Sequence, residues 1–269
     1  MGVFAVTGSA SGIGAATAAL LTREGHRVIG VDLADADIRA DLGTTERRTS
    51  AVSAIAAACG GRLDGLVTAA GIGPSSTASG GRLLSINYFG TVELIAGLHD
   101  VLSAAGSSAV VALSSNSTTC QPDWPVAYAE ACLVGDEAAA VALADEQPSL
   151  QAYPASKTAV AWWIREHAHL ADWAGAGIRL NAIAPGLIDT PMTAGQRDDP
   201  MIGELIQAYP VPRGKAGQPE EVAAVIAFML SPAASLLHGT VLFADGGTDA
   251  LLRTRDWPAP WVSSSRRTP

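Results

Sequence analysis

The hydrophobic pattern of the chain alternates between two kinds of segment. Short apolar runs rich in valine and isoleucine are separated by alanine-rich stretches of helical length, which is typical of buried parallel strands and their crossover helices. The predicted strands are residues 3–7, 27–32, 64–69, 108–114, 178–184 and 240–244. The predicted helices are residues 15–24, 84–102, 156–174 and 220–230. This order predicts an α/β fold with a single doubly wound parallel sheet.

Two segments depart from this alternation. Residues 116–150 separate a strand from the helix that it should feed. Within them Asp136 and Glu137 precede an alanine-rich stretch and predict a capped short helix, so we interpret the segment as a helical insertion. Residues 253–269 have the proline, serine and arginine content of a poorly ordered tail. We therefore expect one domain over residues 1–252, followed by a tail that carries no function.

Charge and composition exclude several classes of partner. The net charge is −9, and an acidic chain without a basic stripe is unsuited to nucleic acids or anionic membranes. The longest apolar run, residues 222–230, is shorter than the ~20 residues of a membrane span. The first residues lack the positive region of a secretory signal, so we expect a cytoplasmic location. The 3 cysteines lack C-x-x-C spacing and predict buried free thiols, with no metal site.

A glycine-rich turn lies directly between the first predicted strand and the first predicted helix. Gly8, Gly12 and Gly14 permit a tight turn and a close backbone approach to a pyrophosphate, next to the free N–H groups of a helix N-terminus. The alternative is a glycine-rich turn without a ligand, which this strand–turn–helix placement disfavours. The segment therefore predicts a dinucleotide site.

Asp32 ends the second predicted strand, where a carboxylate can accept hydrogen bonds from both hydroxyls of the adenosine ribose. A 2′-phosphate would meet this negative charge, with no arginine or lysine at positions 9, 10 or 33 to receive it. The sequence thus favours NAD over NADP. The competing interpretation is an aspartate that only forms a turn at the strand end.

Tyr153 and Lys157 are four residues apart on a predicted helix and share one helix face. A nearby ammonium, together with a positive nicotinamide ring, is expected to lower the pKa of the phenol, as a general base at neutral pH requires. Taken alone, a surface tyrosine and a solvated lysine would explain the spacing better. The dinucleotide turn upstream reverses this preference.

Three further polar residues are candidates for the same cleft. Ser114 and Ser115 end a predicted strand at the carboxyl edge of the sheet, where a hydroxyl can hold a substrate carbonyl. Asn87 lies inside a predicted helix, where an asparagine is a poor helix former unless it bonds something. An exposed helical asparagine explains Asn87 equally well.

Together these residues resemble the short-chain dehydrogenase/reductase family, over nearly the whole chain. Residues 7–14 are similar to its T-G-x-x-x-G-x-G turn, and Tyr153 and Lys157 to its Y-x-x-x-K pair. Residues 68–71 read T-A-A-G where the family usually has N-N-A-G, so an asparagine that supports the sheet is missing. The resemblance implies a Rossmann-type domain and oxidoreductase activity with NAD as the cofactor.

The resemblance also implies the site residues. The implied catalytic residues are Asn87, Ser115, Tyr153 and Lys157. The implied cofactor-binding residues, with Tyr153 and Lys157, are Gly8, Ser11, Gly12, Ile13, Gly14, Asp32, Leu33, Asp41, Leu42, Ala70, Gly71, Pro185, Gly186, Ile188 and Thr190. In the implied mechanism Tyr153 takes the alcohol proton, Lys157 holds the ribose, Ser115 bonds the reacting oxygen and Asn87 orders a water behind Lys157.

Residues 187–212 should form the substrate loop, and their apolar side chains favour a lipophilic ligand. We expect Leu187, Met192, Met201, Ile202, Leu205, Ile206 and Tyr209 to line it. Trp124 and Tyr128 of the insertion either roof this pocket or only pack in the core. The expected substrate is a hydrophobic secondary alcohol or its ketone.

Within the family, the compact segment at 32–41, the insertion and the end of the domain resemble the bacterial 3-alpha-hydroxysteroid dehydrogenase/carbonyl reductases. This resemblance implies a 3-alpha-hydroxysteroid or a xenobiotic carbonyl as substrate, and a homodimer formed through the C-terminal helix and strand. A dehydrogenase of a terpenoid or other small alcohol is the main alternative. A non-catalytic NAD-binding sensor is the remote one.

Overall fold

Seven parallel strands form the central sheet of the computed structural model, which describes residues 1–146 and 148–257. The strands are β1 Val3–Thr7, β2 Arg27–Asp32, β3 Ile38–Arg39, β4 Gly65–Thr68, β5 Ser108–Leu113, β6 Ile178–Pro185 and β7 Val241–Ala244. Their order is β3-β2-β1-β4-β5-β6-β7, with every neighbouring pair parallel. The predicted doubly wound α/β fold of Rossmann type is confirmed.

Helices cover both faces of this sheet. The longer ones are α1 Gly12–Arg23, α2 Thr45–Ala58, α4 Gly90–Gly97, α7 Val126–Val134, α8 Glu137–Ala144, α9 Ser149–His167 and α12 Pro219–Leu230. The shorter ones are α3 Gly80–Leu84, α5 His99–Ser103, α6 Ser117–Cys120, α10 Pro191–Arg197, α11 Gly203–Gln207 and α13 Thr248–Leu252, with a 3-10 turn at Pro232–Ala234. None of the helices in the described part of the chain is long and apolar enough to cross a membrane.

The two faces of the sheet have separate cores because alternate residues of a strand point to opposite sides. Phe4 and Val6 of β1 pack with α1 and α12, whereas Ala5 between them packs with α2, α4 and α9. Every residue of β4 and β5 is buried, as expected for strands covered on both faces. The carboxyl ends of the strands are therefore the edge of the sheet that remains open to ligands.

The insertion is helical, as predicted, and Asp136 is the N-cap of α8, where its carboxylate accepts a hydrogen bond from the Ala139 N–H at 3.1 Å. It contains α6, α7 and α8, of which α8 packs on α3 and α7 on α9. Most of the predicted tail, residues 258–269, lies outside the described residues, as does residue 147.

The prediction of one continuous helix at 84–102 is wrong. The chain instead forms four helical pieces, at Gly80–Leu84, Ser85–Phe89, Gly90–Gly97 and His99–Ser103, and the second is a π-helical turn. This turn inserts one residue into the helical repeat and so rotates the side chains on either side of it. Asn87, the polar residue that disfavours a regular helix, is at its centre.

Candidate active site

A cavity of about 920 Å³ opens along the carboxyl ends of the strands, from β2 to β6. The sequence-predicted residues on its wall are Gly8, Ser11, Gly12, Ile13, Gly14, Asp32, Leu33, Asp41, Leu42, Ala70, Gly71, Ser115, Tyr153, Lys157, Pro185, Gly186, Ile188 and Thr190. Only Asn87 among the predicted catalytic and cofactor-binding residues is not on this wall. One cavity therefore joins the candidate dinucleotide turn to the candidate catalytic pair.

The glycine turn is built from close backbone contacts. Gly8 and Gly12 have positive φ values of 69° and 54°, which an L side chain rarely adopts. A Cβ atom on Gly14 would lie 2.1 Å from the carbonyl oxygen of Gly8, so no side chain fits there. Ser11 is the N-cap of α1, yet its side chain accepts no hydrogen bond from the helix, and the first turn holds no acidic residue. The N–H groups of the first turn of α1 therefore remain available to an anion.

Asp32 is tied to the glycine turn by its carboxylate. One of its oxygens accepts a hydrogen bond from the Ala10 N–H at 2.9 Å, and the other accepts one from the Leu33 N–H at 2.7 Å. Asp32 therefore does form the turn at the end of its strand, as the competing interpretation holds. Each carboxylate oxygen can accept a second hydrogen bond, so both still have capacity for a ribose hydroxyl.

Ser115 and Tyr153 come from different elements and meet at the cavity. Ser115 follows β5, and its Oγ accepts a hydrogen bond from the Ser117 N–H at 3.1 Å. Burial raises the pKa of the Tyr153 phenol, while a hydrogen bond with Ser115 partly opposes this. Ser114 also lies on the cavity wall, but its hydroxyl donates to the Lys157 carbonyl at 2.9 Å and so ties α9 to the end of β5.

Lys157 is buried below Tyr153 on the same helix, with only 5% of its surface exposed. Its Nζ donates a hydrogen bond to the Leu113 carbonyl oxygen at 3.0 Å, and burial lowers the pKa of Lys157 to about 8. The expected lowering of the Tyr153 pKa combines this ammonium with a positive nicotinamide ring, so it stays a prediction for the site with its dinucleotide bound.

Asn87 lies one layer behind the cavity and is fully buried. Its Oδ1 accepts a hydrogen bond from the Ile72 N–H at 2.9 Å, and its Nδ2 donates to the Ile72 carbonyl at 3.0 Å and to Ser156 Oγ at 3.2 Å. A Cβ on Gly71 would lie 2.9 Å from this side-chain oxygen. Asn87 thus positions the segment that follows β4 against α9.

The substrate half of the cavity differs from the sequence prediction in three aromatic or sulfur-containing residues. Leu187, Met192, Ile202, Leu205, Ile206 and Tyr209 line it as predicted. Met201 is 36% exposed and is not on the wall of this cavity. Trp124, which precedes α7, and Tyr128 on α7 pack against the core cluster and do not line this cavity.

Several wall residues were missed by sequence reasoning because their segments carry no motif. From the insertion and the start of α9 they are Asn116, Ser117, Cys120, Gln121, Pro122, Asp123, Leu150 and Gln151. From other loops they include Pro74, Gln196 and Leu252. Cys120 is half-buried on this wall, whereas the sequence predicts a buried thiol; Cys59 and Cys132 are buried. The insertion therefore forms part of the substrate half.

The wall carries two cations among its described residues. Lys157 lies beside Tyr153, and Arg82 lies 3.5 Å from Asp41 at the opposite end. The substrate half carries Asp123 and no positive side chain in the described residues. This half is thus suited to neutral, mainly apolar ligands.

The residues present fit a nicotinamide dinucleotide. The glycine turn leaves backbone donors for a pyrophosphate, Asp32 offers acceptors for a ribose, and Tyr153 and Lys157 lie at the far end of the same cavity. Gly71 leaves room beside Lys157, since a Cβ there would lie 3.4 Å from Nζ.

Comparison with known proteins agrees with this geometry. A family model described as "short chain dehydrogenase" matches residues 2–131, and one described as "Enoyl-(Acyl carrier protein) reductase" matches residues 137–249. The 3-alpha-hydroxysteroid dehydrogenase/carbonyl reductase of Comamonas testosteroni is 40% identical over 256 residues, covering 94% of this chain and 98% of that protein. The cis-4-hydroxycyclohexanecarboxylate dehydrogenase of Sinomonas cyclohexanicum is 36% identical, covering 93% of this chain and 97% of that protein.

A solved structure is also similar over the whole domain. The crystal structure of the 3-alpha-hydroxysteroid dehydrogenase from Pseudomonas sp. B-0831 complexed with NADH has a TM-score of 0.90 and 47% sequence identity, covering 94% of this chain and 99% of that chain. The resemblance drawn from the sequence is confirmed. On these matches, and with its glycine turn and Tyr153–Lys157 pair on one cavity, the chain belongs to the short-chain dehydrogenase/reductase family of oxidoreductases.

Proposed function

We propose that the protein is an NAD-dependent dehydrogenase that interconverts a neutral, lipophilic secondary alcohol and its ketone, with 3-alpha-hydroxysteroids as the preferred substrate class. The observation that carries this proposal is the single cavity, in which the glycine turn, the Tyr153–Lys157 pair and an apolar substrate half are continuous. The activities for which the relatives from Comamonas and Pseudomonas are named support the substrate class.

The bound nicotinamide supplies a hydride acceptor for oxidation and a hydride donor for reduction. Tyr153 takes the proton of the alcohol oxygen in oxidation and returns it in reduction. The Ser115 hydroxyl holds the reacting oxygen beside the phenol, since Ser115 and Tyr153 lie on the same cavity wall. Lys157 binds the ribose and stabilises the phenolate by its charge, which its pKa of about 8 preserves at neutral pH. Asn87 holds the loop behind Lys157, and a water ordered there remains a prediction.

The preference for NAD rests on Asp32. Its carboxylate ends β2 on the cavity wall, so a 2′-phosphate at this place would meet a negative charge. Arg39 is paired in register with Asp32, but it is exposed and its Nε donates to the Leu33 carbonyl at 3.4 Å. Replacement of Asp32 by Asn should therefore reduce the preference for NAD over NADP.

The preference for neutral substrates rests on the charges of the side chains that line the substrate half. The carboxylate substrate named for the Sinomonas relative would meet Asp123 and no cation in the described substrate half. The nearby arginines are occupied, because Arg197 pairs with Asp189 at 3.1 Å and Arg213 with Glu221 at 2.9 Å. A steroid or a cyclic terpenoid alcohol has no such charge to satisfy.

The proposed assembly is a homodimer formed through α12 and β7. β7 is at the edge of the sheet, and the edge of a sheet offers unpaired backbone groups to a second copy. Phe228 on α12 is 47% exposed, which is unusual for a phenylalanine on a helix that packs on the core.

The test is the absorbance of NADH or NADPH formed by purified protein with NAD⁺ or NADP⁺, respectively. The alcohol panel contains a 3-alpha-hydroxysteroid, a cyclic terpenoid alcohol, cis-4-hydroxycyclohexanecarboxylate and a sugar alcohol. We expect turnover of the steroid with NAD⁺ and none of the carboxylate. Turnover of the terpenoid alone would support the proposed reaction but would show that the substrate is a terpenoid alcohol instead of a steroid. NADH binding without any turnover would favour the non-catalytic sensor.

A further inference from the structure

The proposed mechanism leaves one buried charged group without a role. Arg48 on α2 is completely buried, although arginine is rarely found inside a protein unless it is paired. Burial opposes its charge, yet hydrogen bonds with Glu137 and Glu93 raise the pKa of Arg48 overall, so it stays protonated.

The guanidinium joins parts of the chain that are distant in sequence. Its Nε donates to Glu93 Oε2 of α4 at 2.7 Å, and its two terminal nitrogens both donate to the carboxylate of Glu137. Glu137 is the first residue of α8, in the insertion. The arrangement with Glu137 is bidentate, which fixes the relative orientation of the two groups as well as their distance.

The same guanidinium also reaches the cavity wall. Nη1 donates to the Leu42 carbonyl oxygen at 3.2 Å, and Leu42 lines the cavity next to Asp41, at the end opposite Tyr153. Gly90, after the π-helical turn, packs close to this residue: a Cβ there would lie 3.1 Å from Leu42 Cβ. The backbone at Leu42 is thus held from one side by a close contact and from the other by Arg48.

α8 has further fixed contacts to the same region. The Asp145 carboxylate accepts a hydrogen bond from the Gly81 N–H at 2.7 Å, and a Cβ on Gly80 would lie 2.2 Å from the Ala144 carbonyl oxygen. Because these contacts hold the C-terminal end of α8, the helix presents the Glu137 carboxylate at its N-terminal end as a positioned partner for Arg48. The insertion is therefore connected to the adenosine end of the cavity as well as to the substrate half.

We propose that Arg48 and Glu137 form a positioning pair through which the insertion fixes Leu42 and thereby sets the affinity of the site for the adenosine half of the dinucleotide. This inference rests on the proposed function, since it requires the dinucleotide to occupy this cavity. Neither residue touches the cavity, so both act through the Leu42 backbone.

The test measures the affinity of Glu137→Gln for three probes: NADH, ADP-ribose and reduced nicotinamide mononucleotide, which lacks the adenosine. We expect the affinities for NADH and ADP-ribose to fall about tenfold, with no change for the mononucleotide and with kcat at saturating NADH within about twofold. Glu130→Gln, an exposed residue on α7, is the matched control and should change none of these values. Arg48→Lys keeps the charge but loses the bidentate geometry, and should repeat the loss.

A fall in thermal stability with all three affinities unchanged would show a merely structural pair and overturn the inference. Equal losses for the mononucleotide and for ADP-ribose would also overturn it, since the whole site would then be disturbed. If Glu137→Gln does not fold, the same criteria apply to Arg48→Lys. Failure of the wild-type protein to bind NADH or ADP-ribose would instead overturn the proposed function itself, and this inference with it.

Discussion

At the scale of single residues, Tyr153 has the most direct role in the proposed reaction. Its hydroxyl is the group that exchanges a proton with the substrate, so Tyr153→Phe should lower turnover by a factor of about 10³ or more, in the range of general acid–base catalysis. NADH affinity, measured by fluorescence titration, should stay nearly unchanged because the phenyl ring remains. Tyr128→Phe, in the buried core, is the control and should keep its activity. A Tyr153→Phe enzyme with a tenth of wild-type turnover would contradict the assignment.

Lys157 gives a prediction for stability, because its pKa is lowered from 10.5 to about 8 by burial. The unfolded chain keeps its proton until about pH 10.5, so the native state is penalised below pH 8 and the penalty fades between pH 8 and 10.5. At pH 7 this penalty is about 3 kcal/mol. Replacing Lys157 by an apolar residue removes the penalty but also loses the hydrogen bond to the Leu113 carbonyl, which offsets roughly 1 kcal/mol of the gain.

Lys157→Met should therefore be more stable than the wild type to urea at pH 7, and this difference should shrink towards pH 10. Lys215→Met, which replaces an exposed lysine, should change stability equally at both pH values. A constant difference between Lys157→Met and the wild type across this range would show that the native lysine is not destabilised by burial.

Sequence reasoning at this scale found the residues that carry a motif. Sequence analysis predicts Gly8, Asp32, Tyr153 and Lys157 because their residue types and spacing together indicate a dinucleotide site with a catalytic pair. Arg48 was not found, since a single arginine on a polar helix start is indistinguishable from a surface residue until the fold brings Glu93 and Glu137 to it.

At the scale of elements, α9 shows why boundaries differ from prediction. The sequence placed the start of this helix after Pro154, whereas the helix begins at Ser149 and contains the proline. Pro154 has no N–H for the Leu150 carbonyl, and the Nε2 of Gln121 donates to that carbonyl instead, at 2.9 Å. A side chain from the insertion thus stabilises the interrupted turn, which a local pattern cannot reveal.

The helices α10 and α11 form a lid over the substrate half, and one carboxylate holds them to the opposite wall. Asp199 Oδ2 accepts hydrogen bonds from the Ser76 N–H at 2.8 Å and from the Ser76 hydroxyl at 2.9 Å. These hydrogen bonds, above all the one from the Ser76 N–H, lower the pKa of Asp199, so the contact persists at and below neutral pH.

Asp199→Ala should free the lid, which raises KM for the lipophilic alcohol about fivefold to tenfold and leaves NADH affinity unchanged. Limited proteolysis should cut α10–α11 faster in this variant. Asp198→Ala removes an exposed neighbouring carboxylate and is the control. Unchanged KM together with unchanged cleavage would show that the lid is held by its other contacts, such as the bond between Gln196 and the Pro74 carbonyl.

At the scale of the whole molecule, the fold was the easiest feature to predict. Alternating buried strands and helices specify a parallel sheet with right-handed crossovers, and the dinucleotide turn after the first strand favours the doubly wound arrangement over a barrel. The shape of the cavity was not predictable in this way. The insertion at 116–150 carries no motif, and only its packing on α3 and α9 places Cys120 and Gln121 on the wall while Trp124 and Tyr128 enter the core.

The proposed homodimer places the exposed face of α12 in a contact between the two copies. Phe228 lies on the outer face of α12, away from the cavity, so Phe228→Glu should place two carboxylates in an apolar contact and separate the copies. Light scattering after size-exclusion chromatography should show a dimer for the wild type and a monomer for this variant, with NADH affinity retained. Val134→Glu, at a position on the insertion that is 79% exposed, should remain dimeric. The opposite pattern, a monomer with Val134→Glu and a dimer with Phe228→Glu, would place the interface on the insertion instead of on α12 and β7.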